Sequence, residues 1–258
     1  MGSKYKLTVD LLARIMDTSL IEPDTTEEEV RKFIEHHKKY PYAAIAVDLY
    51  YIPLAVKLLK GTKIDVVAPI AYPTGGIPTD IKVEQAKWAI EQGANELDVA
   101  VNMYYFKFGQ YDLLKEEIRR IVKIAESENV IVKVIPQTAF LTPEEIKLFT
   151  KIAIEAGAHF IKTNSGYGLK TLPEHVKIIK DNYGDKIKVM AAGGVRNAEI
   201  ALSMLEAGAD RIATSTPEDV FNTLEKAWEA LSEEKKELLY ERVIRLIKED
   251  PKSKLRGE

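Results

Sequence analysis

A single (β/α)8 barrel, the TIM-barrel architecture, is the fold this sequence predicts, and three observations carry that prediction. Eight short apolar stretches alternate with helical patterns at intervals of roughly thirty residues, which fits a barrel built within the 258 residues present. The stretches are apolar on successive rather than alternate residues, as expected of parallel strands covered on both faces. No linker or shift in composition divides the chain, so residues 1–258 read as one domain. A doubly wound open sheet would seldom need eight consecutive units.

Residues 8–15 carry helical spacing through Leu11, Leu12 and Ile15 and stand before the first unit as an extra N-terminal helix. The first strand is expected at 16–21, broken off by Pro23, and Thr25, Thr26 and three glutamates open a helix running to about residue 39. Strand two at 43–47 leads to a helix at 53–59, and strand three at 64–71 runs into the loop Tyr72-Pro73-Thr74-Gly75-Gly76. A helix at 81–92 ends on Gly93, strand four follows at 96–101, and a helix at 113–127 precedes strand five at 130–135. Helix 143–156, strand 158–163, helix 173–181, strand 187–191, helix 198–207 and strand 211–214 complete the series. The closing helical stretch, 217–248, is longer than the eighth unit needs and supplies an extra C-terminal helix.

Composition narrows the function classes. A formal net charge of -3 with 30% charged residues gives no bias towards nucleic acid or a membrane surface. No apolar run is long enough to span a bilayer and the first residues lack the apolar core of a signal peptide, so a cytoplasmic protein is expected. The absence of cysteine excludes disulfides, thiolate metal ligands and a cysteine nucleophile. His36, His37, His159 and His175 lie without metal-ligand spacing, and no metal site is expected from them. Abundant Lys, Glu and Ile lean towards a thermophilic source.

In a barrel of this kind chemistry belongs at the carboxyl ends of the strands, which directs attention to Asp17, Asp48, Asp98, Gln137, Lys162, Gly193 and Ser215. Lys162 closes an apolar run and leads into Thr163-Asn164-Ser165-Gly166-Tyr167-Gly168. A lone lysine there often only snorkels outward. Desolvation at such a place, however, disfavours the ammonium, and a neutral lysine amine is a nucleophile. Asp98 interrupts the apolar Leu97-Asp98-Val99-Ala100-Val101, where a carboxylate must be paired or work as an acid or base. Lys133, inside Ile131-Val132-Lys133-Val134-Ile135, lies on the strand between those two. If it points inward, a second cation beside Lys162 would favour the neutral nucleophile. Glycine-bearing loops at Gly166, at Gly193 and Gly194, and a helix start at Ser215 and Thr216 converge where barrels commonly hold phosphate.

These segments together resemble the deoxyribose-phosphate aldolase family, nearly end to end from Asp17-Thr18-Ser19-Leu20 to Thr214-Ser215-Thr216. The resemblance implies a class I, Schiff-base aldolase with no cofactor, cleaving 2-deoxy-D-ribose 5-phosphate to glyceraldehyde 3-phosphate and acetaldehyde. It assigns Lys162 to the imine and Asp98 and Lys133 to proton transfer. Asp17, Thr18, Thr163, Ser165, Gly166, Gly193, Gly194, Ser215 and Thr216 are then expected to hold the substrate and its phosphate, and a homo-oligomer, dimer or higher, is expected. The sequence also departs from the family. Met190 stands where members typically have a second active-site lysine, Gln137 replaces a glutamate after the fifth strand, Ala46 a common cysteine, and Ala213 a glycine. Alternatives are therefore a related Schiff-base aldolase with another phosphorylated carbonyl substrate, or a sugar-phosphate-binding barrel without turnover.

Overall fold

In the computed structural model, which describes residues 4–250, eight parallel strands close into a barrel in chain order. The strands are β1 (Met16–Leu20), β2 (Ala44–Val47), β3 (Asp65–Ile70), β4 (Glu96–Ala100), β5 (Ile131–Ile135), β6 (Phe160–Lys162), β7 (Lys188–Ala192) and β8 (Arg211–Thr214), and β1 pairs with β8 to close the ring. Around them run α2 (Glu27–His37) and the helices that follow it, after a short α1 (Val9–Ala13). These are α3 (Ile52–Leu58), α4 (Thr79–Glu91), α5 (Met103–Lys107), α6 (Tyr111–Ser127), α7 (Pro143–Glu155), α8 (Pro173–Tyr183), α9 (Ala198–Glu206), α10 (Pro217–Glu229) and α11 (Glu233–Lys248). The helix starts follow the sequence signals. Thr26 and Thr142 each form a capping box with a glutamate three residues on, and Pro143 and Pro217 occupy first turns, where no N–H is needed.

The strand residues alternate between two buried faces that differ in kind. Ile45 and Val47, Leu97 and Val99, Val132 and Val134, and Val189 and Ala191 point outward into one large apolar core against the helices. Their alternates point into the lumen. There Ala44, Ala46 and Val67 form one small cluster and Ile131, Phe160 and Met190 another, while Asp17, Glu96, Asp98, Lys133, Lys162 and Arg211 place charge among them. The expectation of strands apolar throughout therefore holds for the outer face and is corrected for the inner one. A barrel lumen tolerates ions where neighbouring strands supply opposite charges at hydrogen-bond distance.

The structure adds the short α5, which five residues of weak periodicity do not announce, and trims the sixth strand to three residues. At the amino end of the barrel α1 packs against α11, and the Trp228 indole donates to the Tyr5 carbonyl at 3.0 Å. The extra terminal helices thus cover the pole opposite the strand ends where chemistry is expected.

Candidate active site

Lys162 ends β6 almost fully buried, with its Nζ 2.5 Å from Oδ2 of Asp98 on β4. Asp98 is in register with Lys133 on β5, whose Nζ lies 3.1 Å from the other oxygen, Oδ1. One carboxylate therefore stands between two ammonium groups. Burial penalises the Asp98 carboxylate, but Lys133 and Lys162 outweigh it and hold its pKa below the ordinary aspartate value.

Lys133 has further partners. Its Nζ is 2.7 Å from Asp17 on β1 and 2.7 Å from Glu96 on β4. Burial opposes its charge, yet Asp17, Asp98 and Glu96 together raise its pKa. Arg211 on β8 bonds Glu96 at 2.7 Å and reaches Asp17 at 3.4 Å, with its guanidinium 5.0 Å from the Phe160 ring centre. Three carboxylates, Asp17, Glu96 and Asp98, thus face three cations, Lys133, Lys162 and Arg211, in the lumen. This corrects the picture of Lys133 as a free cation beside Lys162, because its charge is met by three carboxylates and Asp98 intervenes.

Met190 is fully buried, in register with both Lys162 and Arg211, and packs with Ile131 and Phe160. Lys188, two residues earlier, lies in register with Phe160 at the other end of the lumen and donates to the Glu249 carbonyl at 3.3 Å. It does not stand in for the missing family lysine.

Above Lys162 opens a cavity lined by Ser19, Tyr72, Ser165, Gly166, Gly193, Gly194, Arg196 and Ser215 among others. Of the residues expected to hold substrate, Ser165, Gly166, Gly193, Gly194 and Ser215 border it. The others do not. Asp17 sits a layer below, bound to Lys133, and Ser19 is the β1 side chain that reaches the cavity. Thr18 alternates to the helix side of β1, fully buried. Thr163 turns its hydroxyl to β7, donating to the Ala192 carbonyl at 3.1 Å and accepting from the Ala192 N–H at 3.0 Å. Thr216 stands behind Ser215 at the start of α10, and its N–H donates to the Thr214 hydroxyl at 3.1 Å. Asp48 caps a single helical turn instead of lining the site, accepting from the Tyr50 N–H at 3.0 Å.

Gln137 explains its own presence. Its side-chain amide donates to the Pro73 carbonyl at 2.8 Å and to the Ser165 hydroxyl at 3.0 Å, and its oxygen accepts from the Ser165 N–H at 2.8 Å. A carboxylate could not donate to Pro73. The residue adopts a left-handed backbone (φ 57) and fastens the loops after β3, β5 and β6, which makes it part of the cavity wall. Tyr72 closes the same wall. Its hydroxyl donates to the Ser165 carbonyl, and its ring centre is 5.8 Å from Lys162 Nζ. Beyond this wall lies a more apolar hollow bordered by Pro73, Met103, Tyr104, Phe140, Tyr167 and Leu169.

The glycines of the β7 loop are required by the chain itself. A Cβ on Gly193 (φ +96) would stand 2.6 Å from the Leu169 carbonyl oxygen, and one on Gly194 3.0 Å from Lys170 Cγ. A Cβ built on Gly166 (φ +98) would meet nothing within 4 Å, so at that glycine only the left-handed backbone argues for the residue.

Sequence reading missed Ser19, Tyr72, Arg196, Glu96 and Arg211. Glu96 and Arg211 were findable from period two, since each precedes a lumen residue, Asp98 or Ala213, by two positions. Arg196 closes the Gly-Gly loop. It is exposed at the cavity rim, with no salt bridge among the described residues. The histidines also gain company. Glu218 brings its carboxylate to both His36 and His37, so the reading of scattered histidines is corrected at that pair.

Similarity to known proteins agrees with this geometry. Residues 12–214 match the DeoC/LacD family aldolase pattern. The deoxyribose-phosphate aldolase of Lactobacillus acidophilus is 38% identical over 220 residues, covering 85% of this chain and 93% of that protein. A solved structure described as QR15, an aldolase, superimposes with a TM-score of 0.78 at 36% identity, covering 86% of this chain and 99% of that one. A tetrameric deoxyribose phosphate aldolase from Aeropyrum pernix gives a TM-score of 0.79 at 28% identity, over 84% and 92% of the two chains.

Proposed function

Because the chain belongs to the DeoC/LacD family of aldolases, we propose that it is a carbon–carbon lyase cleaving 2-deoxy-D-ribose 5-phosphate through a Schiff base on Lys162. The observation that carries this reading is the buried Lys162–Asp98 contact of 2.5 Å at the floor of a cavity whose rim offers backbone amides, Ser215 and Arg196. Lys162 adds to the substrate aldehyde and water leaves, giving an iminium. The bond between carbons two and three then breaks, its electrons flow into the iminium, and a proton leaves the carbon-three hydroxyl. Protonation of the resulting enamine and hydrolysis release acetaldehyde and free Lys162.

Asp98 is the group in contact with the amine and takes the role of proton carrier, directly or through water. Lys133 acts through Asp98, as a positioning residue. Phosphate is taken by the amides around Gly166 and Gly193, by Ser215 and by Arg196. A soluble homo-oligomer in the cytoplasm, working in carbohydrate breakdown, is the setting this reading implies.

Borohydride reduction in the presence of acetaldehyde tests the chemistry. Inactivation with the added mass on the peptide containing Lys162, and none in Lys162→Ala, is expected. Label on Lys133 or Lys188, or no label with any short-chain aldehyde, overturns it.

A further inference from the structure

His36 and His37 end α2, and Glu218 lies in the first turn of α10. Nε2 of His36 is 3.1 Å and Nε2 of His37 is 3.4 Å from the same oxygen, Oε1 of Glu218. The three ligand atoms lie within 4.8 Å of one another. Tetrahedral zinc with bonds of roughly 2.0–2.2 Å sets its ligands roughly 3.3–3.6 Å apart, against 3.1 and 3.4 Å between the Glu218 oxygen and the two imidazoles.

The surroundings suit a ligand set. His37 is buried, its ring held 4.3 Å from Phe33 and 5.6 Å from Tyr42, and its Nδ1 is 3.4 Å from the Tyr42 hydroxyl. A fixed partner on the second ring nitrogen is what orients a metal-ligating imidazole. His36 and Glu218 are partly exposed, leaving solvent a path to the fourth position.

We propose that His36, His37 and Glu218 form a zinc-binding site outside the aldolase centre. Its two halves come from opposite ends of the chain. Helix α2 joins β1 to β2, α10 follows β8, and β1 pairs with β8, so an ion here clamps the seam at which the barrel closes. Because the two halves meet only in the folded chain, the binding free energy of the ion adds to the stability of the closed ring.

Titration of untagged, chelator-treated protein with zinc chloride in a non-coordinating buffer tests the site. One zinc per chain is expected by calorimetry, with His36→Ala and Glu218→Gln each weakening binding at least about ten-fold while the circular dichroism spectrum is unchanged. Saturating zinc should raise the unfolding midpoint of the parent by on the order of 5 °C, reversibly with chelator, and leave His36→Ala unmoved. His36 does not line the cavity over Lys162, so aldolase activity of that variant should match the parent's. No saturable binding, or binding of equal strength in both variants, overturns the proposal and leaves a hydrogen-bonded His–Glu contact.

Discussion

In the proposed reaction Lys162 attacks as a neutral amine, yet Asp98 holds it at 2.5 Å as an ion pair. Lys133 does little to loosen that pair, since Asp17 and Glu96 share its charge with Asp98. Met190 stands beside Lys162 in register, at the position where the family typically has lysine. A lysine there would compete for Asp98 and release the Lys162 amine. Met190→Lys is expected to raise kcat on deoxyribose 5-phosphate by about an order of magnitude and to move the acid limb of the pH–rate profile downward. It should also lower the unfolding midpoint, because the new charge enters the Ile131 and Phe160 cluster. A folded variant no faster than its parent would count against this account. Arg196 gives a second prediction. Loss of a charge-assisted hydrogen bond to phosphate is worth about 1.5–3 kcal/mol, so Arg196→Ala should raise KM for the phosphorylated sugar roughly 10- to 100-fold. Unphosphorylated deoxyribose should be affected little, and equal effects on both would remove Arg196 from the phosphate site.

Among the elements, β4 is anchored at its carboxyl end by a buried ion pair. Lys82 on α4 and Glu117 on α6 form a fully buried pair at 2.7 Å. Lys82 also donates to the Ala100 carbonyl at 3.1 Å, and Glu117 accepts from the Asn102 N–H at 2.8 Å. Burial lowers the Lys82 pKa although Glu117 opposes it, so the pair depends on both members. Glu117→Ala leaves a buried ammonium and an orphaned N–H two residues beyond the strand. It is expected to cost about 3–5 kcal/mol in denaturant unfolding, and Lys82→Met with Glu117→Leu should recover much of that. A loss below about 1 kcal/mol for the single variant would show that water replaces the carboxylate. The β7 loop teaches a related lesson. A side chain at Gly193 meets the Leu169 carbonyl of its own chain, so Gly193→Val should lower the unfolding midpoint as well as raise KM for the phosphorylated sugar.

For the whole molecule, the lumen network sets a pH window. Asp98 has a depressed folded pKa, so its stabilisation is complete above the unfolded value of about 3.9 and is lost as pH falls through the lower folded value. Lys133 has a raised folded pKa, so its stabilisation is complete below about 10.4 and is lost as pH rises through the higher folded value. Stability contributed by these two groups should be flat between those limits. Asp98→Asn is expected to flatten the acid arm of the melting curve measured from about pH 4 downward. An unchanged acid arm would assign acid unfolding to other carboxylates.

The barrel was legible in the sequence because strand and helix periods are local and repeat eight times, and caps such as Thr26 and Thr142 write their own boundaries. Lys162, Asp98 and the glycine loops were legible because an ion within an apolar run, or a glycine pair after one, is unusual wherever it falls. Lumen partnership was not. That Lys133 meets Asp17 and Glu96, that Asp17 stays below the cavity while Ser19 reaches it, and that Gln137 serves as a fastener depend on register and on which face each residue takes. The meeting of Glu218 with His36 and His37 depends on closure of the ring, which brings the ends of the chain together. Local pattern fixes which residues must be buried, but the identity of the opposite charge is settled only when distant strands are set side by side.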